Sequence, residues 1–312
     1  MSTTSDSTAT TLFTGGASQV GVAIAKLLVA EGRKVLFGSR SGRVPDGFSS
    51  VKFDWDDPST FENPFKVDGY DIQSVYLLPP PLKVYSADEV FAFIDIAIAR
   101  GVKKFVLITG TSVEMSDADR VGSNLALDRH RCSMAKVHKY LDSKGVEYCV
   151  LRPTWFMENF VVNHGQNIRN RDQFTSSVPK GKIPLVSAED VARAGFEAFT
   201  SDKKHITERI VIGPEFMTYD EAAEILSDVV GRTITHQAIP GETLETLYKQ
   251  FGMPPEFAAF MVALEKASDE GMDLKLVKRL ENENKTENLY VGKIRLRDWA
   301  EKNKGAWIKV SA

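Results

Sequence analysis

The chain has 312 residues, is 43% hydrophobic and 26% charged, and carries a formal charge of −3 with both signs mixed along it. Those values describe a soluble globular chain long enough for one large α/β domain or a domain with a C-terminal elaboration. They exclude the basic footprint that nucleic acid would need and any run near the ~18 apolar residues that span a bilayer, and Cys132 and Cys149 fall in no metal-ligand spacing.

The first ten residues are Ser/Thr-rich with no apolar core, and read as a frayed tail rather than a secretory signal. Two unpatterned cysteines fit a reducing, cytoplasmic setting. TLFT (11–14) is a predicted strand, and Val20, Ala23, Ile24, Leu27 and Leu28 then fall at helical spacing over 19–31. KVLFGS (34–39), VKFD (51–54) and SVYLLP (74–79) are the next strands, the last stopped by consecutive prolines. A helix over 87–100, the strand KFVLIT (104–109), a helix over 127–144 and the strand EYCVLRP (147–153) follow.

This alternation with near-continuous apolar strands predicts a doubly wound parallel Rossmann sheet over 11–153. Residues 154–312 read as a smaller, mostly helical substrate subdomain, from which about 187–213 return to the Rossmann core. SAEDVARAGFEAFT (187–200) is an amphipathic helix with Ser187 as N-cap, and ERIVIG (208–213) is a short strand. Helices are expected over 218–230, 242–251, 255–269 and 293–303, packed as a lid over the sheet.

The loop TGGASQVG follows a strand and opens a helix, the context that distinguishes a dinucleotide loop from a chance glycine cluster. Gly15 and Gly16 make the turn, Gly21 lets the helix approach the sheet, and amides of Ser18, Gln19 and Val20 face a pyrophosphate. Ser18 stands where a further glycine is usual; a tight turn without ligand is the alternative. About 20 residues on, an NAD-preferring fold carries an acid. Here the strand ends in GSRSGR, so Ser39 and Arg40 suit a 2′-phosphate and favour NADPH over NADH. A solvated Arg40 is the competing reading. Asp54 and Trp55 border the adenine in this scheme, although a strand-end Asp is also a common turn former.

The string YLDSK, Tyr140 to Lys144, has the Tyr-x-x-x-Lys spacing of short-chain reductases. It ends its helix, roughly 12 Å along the axis from Cys132, whereas the cofactor lies at the strand carboxyl ends, where the helix begins. The pair is therefore a decoy. Nearer the cofactor stand His130, a candidate proton donor or a surface residue, and Lys136, a ribose ligand or a solvated lysine. After the sixth strand, LRPTWFMENF (151–160) places Trp155 and Phe156 at the expected substrate site. Phe260, on one face of the helix over 253–267 with Phe257, Met261 and Leu264, walls a bulky apolar ligand or packs into the core.

TGGASQVG, ITGTSVE (108–114), LRPTWFMENF and SAEDVARAGFEAF together resemble the NmrA-like atypical short-chain dehydrogenases, in particular the branch of fungal festuclavine and agroclavine dehydrogenases. The resemblance runs from about residue 11 to about 240. It implies an NADP(H)-binding Rossmann fold and hydride delivery to an iminium carbon of an indole alkaloid, with Thr109, Gly110, Thr111 and Lys136 bordering the nicotinamide ribose. Lys136, Trp155 and His130 are the residues expected nearest the chemistry. The family also contains cofactor-sensing regulators, and relatives that guide a ring closure such as a Diels–Alder cyclisation; these readings stay open, as does the oligomeric state.

Overall fold

Apolar strands alternating with helices suit a parallel sheet covered on both faces, and the computed structural model is built around such a parallel sheet. It describes residues 9–15, 18–80, 87–119, 126–201 and 206–309, with 126–130 in backbone only. The chain runs β1 (Ala9–Phe13), α1 (Gln19–Ala30), β2 (Lys34–Ser39), β3 (Ser50–Lys52), β4 (Asp71–Leu77), α2 (Asp88–Ala99), β5 (Lys104–Ile108), α3 (Ala126–Ser143) and β6 (Glu147–Pro153). It continues through α4 (Asn159–Val162), α5 (Gly165–Arg171), β7 (Gln173–Ser176), α6 (Ala188–Thr200), β8 (Glu208–Ile212), α7 (Tyr219–Val230) and β9 (Thr235–Ala238). The last elements are α8 (Gly241–Gln250), α9 (Pro255–Asp269), α10 (Met272–Asn282), β10 (Leu289–Val291) and α11 (Leu296–Asn303).

The main sheet is parallel, in the order β10-β8-β6-β5-β4-β1-β2-β3. This is a Rossmann order with two strands added beyond β6. No described helix is long and apolar enough to cross a membrane. The chain divides into two compact units, one drawing on residues before 124 with 130–152 and 191–209, the other on 124–129, 153–190 and residues from 210 onward.

In the first unit, strand alternation splits the core in two. Leu12, Leu36, Val75, Leu77, Phe105, Leu107 and Val150 face one side and pack with Val90, Phe93 and Ile94 of α2 and Val137 and Leu141 of α3. On the other side Phe13 lies beside Phe37 and Tyr76, with ring centroids 5.1 and 5.4 Å apart. The register pairs Phe13 with both of them. The helix α6 reaches this face as well: Phe199 lies 6.5 Å from Phe13, and a Cβ on Gly195 would come within 2.6 Å of Ile24. Gly195 therefore lets α6 and α1 approach closely.

The second unit has its own core of Met157, Phe160, Phe174, Tyr219, Leu226, Trp299 and Trp307. Its small sheet pairs β7 with β9 in parallel. Buried and half-buried carboxylates tie its segments together. Asp190 accepts from the amides of Lys293 and Ile294 at 3.1 and 3.0 Å, and from the Ser187 hydroxyl at 3.1 Å. Glu158 accepts from the Ala188 amide at the start of α6 and from the Trp299 indole at 3.1 Å. Ser187 also caps α6, accepting from the Asp190 amide at 3.0 Å.

Three differences from the expected elements have physical causes. β4 begins at Asp71, three residues before the expected start, because β1 pairs Ala9 and Thr10 with Asp71 and Ile72 despite their polar surroundings. β7 and β9 were not expected, since QFTS and THQA lack strand-like apolar runs. The region after Thr218 also holds α10 and the short strand β10, which adds to the sheet beside β8.

His164 packs beside Phe174 at 5.5 Å, and burial, with His236 adding to it, lowers its pKa from 6.5 to about 4. Between those values the unfolded chain binds the extra proton and the folded chain does not. Stability is therefore fully present above pH 6.5 and falls as pH drops towards about 4. Urea unfolding across that window should show a loss of about 3 kcal/mol attributable to this ring, and His164→Leu should flatten the slope.

Candidate functional site

All strands of the main sheet are parallel, so their carboxyl ends share one edge. In the first unit the strand order turns back between β1 and β4, the place where open α/β sheets leave a crevice. Thr14, just past β1, clasps the exit of β4. Its amide donates to Tyr76 O at 3.1 Å, its hydroxyl accepts from the Leu78 amide at 3.0 Å, and Tyr76 O and Leu78 O each lie 3.3 Å from that hydroxyl. A Cβ on Gly15 would run into the Leu78 side chain, so glycine allows the turn to sit this close.

Ser18 is the N-cap of α1, with φ −62° and ψ 139°, and its Oγ accepts from the Gly21 amide at 3.2 Å. The serine in the glycine position thus serves the helix. A Cβ on Gly21 would lie 2.6 Å from that Oγ and 3.3 Å from the Tyr76 ring. Burial raises the Tyr76 hydroxyl, which sits beside Ser18, far above its ordinary range. Among the described residues no hydrogen bond takes up the amides of Gln19 or Val20, and no acid stands in the first turn of α1. The helix start thus has free donors, a favourable dipole and no internal anion, which fits a pyrophosphate. Gly16 lies outside the described residues.

At the end of β2, Ser39 is buried and its hydroxyl donates to Arg43 O at 3.2 Å. Arg40 is exposed, and no described residue engages its guanidinium. Lys52 donates to Arg40 O at 2.7 Å and stands 3.9 Å from Asp54. It brings a further cation to this corner that sequence reasoning passed over. An unpaired guanidinium with a second cation nearby fits a 2′-phosphate. Trp55 is taken up by the core instead of the adenine border: its ring packs on Phe53, Phe61 and Phe93, and its indole donates to Leu78 O at 3.2 Å.

After β5, the buried Thr109 hydroxyl has no hydrogen-bond partner among the described residues, and its amide donates to Leu151 O at 2.8 Å. An orphaned hydroxyl at a strand's carboxyl end is suited to a ligand's sugar hydroxyl. Gly110 and the buried Thr111 follow, and Arg152 holds this loop by donating to Thr111 O at 2.8 Å. Arg152 is 2% exposed and paired with Glu208 at 2.7 Å. Removing that partner would strand a buried charge at a cost of about 3–5 kcal/mol. Lys136 is exposed on α3, and no described residue engages its ammonium. The His130 side chain lies outside the described residues.

The Tyr140–Lys144 pair belongs to the α2–α3 packing. Tyr140 stacks on Phe91 at 4.1 Å and donates to Asp95 at 2.6 Å; Lys144 pairs with Asp95 at 2.7 Å and lies 4.2 Å over the Tyr140 ring. The hydrogen bond from Lys144 holds the Asp95 carboxyl below its usual range, while burial and the bond to Asp95 raise Tyr140. A catalytic tyrosine needs the reverse shift.

In the second unit, half-buried Trp155 donates its indole N–H to Ser268 Oγ at 2.8 Å. Phe156 is half-buried and bridges in parallel to Val186. Phe260 is 6% exposed, with its ring 5.6 Å from Phe257. Phe160 is core.

The NmrA-like family model matches residues 87–299. Festuclavine synthase I of Penicillium roqueforti is 37% identical over 263 residues, covering 82% of this chain and 86% of that protein. Agroclavine dehydrogenase of Claviceps fusiformis is 34% identical over 305 residues, covering 96% and 99%. The fold is similar to that of the triphenylmethane reductase of Citrobacter sp., solved in complex with NADP(H), at a TM-score of 0.68 and 17% identity over 95% of this chain and 99% of that one.

If Tyr140 and Lys144 serve packing, Tyr140→Phe should leave kcat/KM within about twofold of wild type, against the 10²–10⁴-fold loss typical of a missing general acid. Steady-state kinetics on the purified variant measures the difference.

Proposed function

The chain belongs to the NmrA-like family, and from that premise we propose that it is an NADPH-dependent reductase acting on the C=N⁺ carbon of an indole alkaloid or a similar small molecule. The Tyr140–Lys144 pair, engaged by Asp95 and Phe91 in helix packing, carries this reading, because such an acceptor is already cationic and needs no strong acid before it takes a hydride. The clavine dehydrogenases among its relatives support the same substrate class.

NADPH, when bound, supplies the hydride; the product is an amine, and no proton is required for the balance. The protein's task is to bind, orient and exclude water. Gly15, Ser18, Gln19, Val20 and Gly21 form the pyrophosphate turn: the glycines admit the backbone, Ser18 fixes the helix start, and the amides of Gln19 and Val20 donate. Arg40, with Ser39 and Lys52, reads the 2′-phosphate, and Asp54 closes that corner. Thr109, Gly110, Thr111 and Lys136 offer hydroxyl, backbone and ammonium groups to the nicotinamide ribose. In the second unit Trp155, Phe156 and Phe260 present aromatic surface to substrate.

Incubation with deuterium-labelled NADPH and an indole-derived iminium substrate tests the reaction. Label in the product carbon with stoichiometric coenzyme oxidation is expected; ring closure without net oxidation would replace reduction by cyclisation. Arg40→Ala should weaken NADPH about tenfold or more and leave NADH within about twofold, since a charge-assisted phosphate contact is worth about 1.5–3 kcal/mol. Calorimetric titration of both coenzymes reads that ratio.

A further inference from the structure

Glu265, on α9 in the second unit, is 3% exposed. Its Oε2 accepts from the Ser177 amide at 2.6 Å and the Ser177 hydroxyl at 2.8 Å, and its Oε1 accepts from the Tyr248 hydroxyl at 2.9 Å. All three donors are neutral, and among the described residues no lysine or arginine pairs with it. Neutral donors orient a carboxylate without cancelling its charge. Nearby His236 is itself engaged, its Nδ1 with Asp220 at 2.8 Å and its Nε2 with Ser176 at 2.8 Å. Burial raises the Glu265 carboxyl above its ordinary range.

A second feature converges on the same place. Tyr219 is 6% exposed, its ring held by Phe174 at 5.7 Å, Phe160 at 6.2 Å and His236 at 5.3 Å. No described residue hydrogen-bonds its hydroxyl. Its ring neighbour His236 bonds Ser176, the residue before the Ser177 that holds Glu265. Trp155 joins them through Ser268, one helical turn beyond Glu265. A buried carboxylate with no lysine or arginine partner, an unpartnered phenol and a half-buried indole make the chemistry of an organic-cation site.

We propose that Glu265, the hydroxyls of Tyr219 and Tyr248 and the Trp155 ring recognise the positively charged nitrogen of an amine or iminium ligand. The carboxylate supplies the charge, Tyr219 accepts a hydrogen bond where the ligand carries an N–H, and the indole face supplies cation–π attraction. This inference rests on the reductase reading for its purpose and names the part of the substrate that the second unit recognises.

The test uses the full chain and two probes: N,N,N-trimethyltryptammonium, and its neutral isostere with carbon in place of the charged nitrogen. Wild-type protein should bind the cation at least about tenfold more tightly. Equal affinities overturn the proposal whether or not any variant folds. Glu265→Gln keeps the volume and can still bond Ser177 and Tyr248; its preference should fall to within about twofold. A folded variant that keeps the tenfold preference overturns it too. NADPH titrated into the same samples keeps the readings apart: failure of coenzyme binding would sink the reductase, and equal affinity of the wild-type protein for the two probes with intact coenzyme binding would sink this site.

Discussion

The clasp between the exits of β1 and β4 is the constraint on which the first unit's candidate site depends. Two parallel strands that turn away from each other must leave a gap at their carboxyl ends, and the backbone polar groups there still need partners. Thr14 supplies them with one hydroxyl and one amide. Gly15 then brings the chain against Leu78, and Gly21 brings α1 against the Tyr76 ring. With the turn held from below in this way, Ser18 can spend its side chain on the helix cap while the amides of Gln19 and Val20 stay available.

The same economy explains the Tyr-x-x-x-Lys string. A tyrosine and a lysine one helical turn apart share a face, so any acid on the neighbouring helix can bridge them. Asp95 of α2 does so, and Phe91 on the same helix completes the stack. The spacing that elsewhere tunes a catalytic phenol here joins two helices. Buried charge is managed likewise at Arg152, whose hydrogen bonds to Glu208 and Thr111 O fix the loop that carries the Thr109 hydroxyl.

The second unit solves a different problem, since its segments are far apart in sequence. Asp190 reaches residues 293 and 294, Glu158 reaches Trp299, and Glu265 reaches Ser177. Each is a carboxylate accepting from backbone or neutral side-chain donors, so the unit is organised by buried acceptors as much as by its aromatic core. Glu265 stands out because the Tyr219 phenol, which no described residue hydrogen-bonds, joins the same cluster through His236 and Ser176.

The β-α rhythm, the apolar strands, the glycine turn and the exposed Arg40 were legible in the sequence, because each is a local property: periodicity, a turn residue, a charge at a strand end. So was Ser187 as a cap. Pairing is not local. The β4 residues Asp71 and Gln73 look like loop until β1 supplies their ladder, and QFTS with THQA become a sheet only when segments some sixty residues apart meet. Trp55 looked available for a ligand, yet Phe53, Phe61, Phe93 and Leu78 O claim it. Glu265 reads as one more charge on an amphipathic helix; Ser177 and Tyr248, brought from elsewhere, make it a buried acceptor. Residue types and their spacing determined which chemistry this chain could carry, and tertiary contact decided which side chains remain free for it, because burial and hydrogen bonding are settled only when distant segments compete for the same atoms.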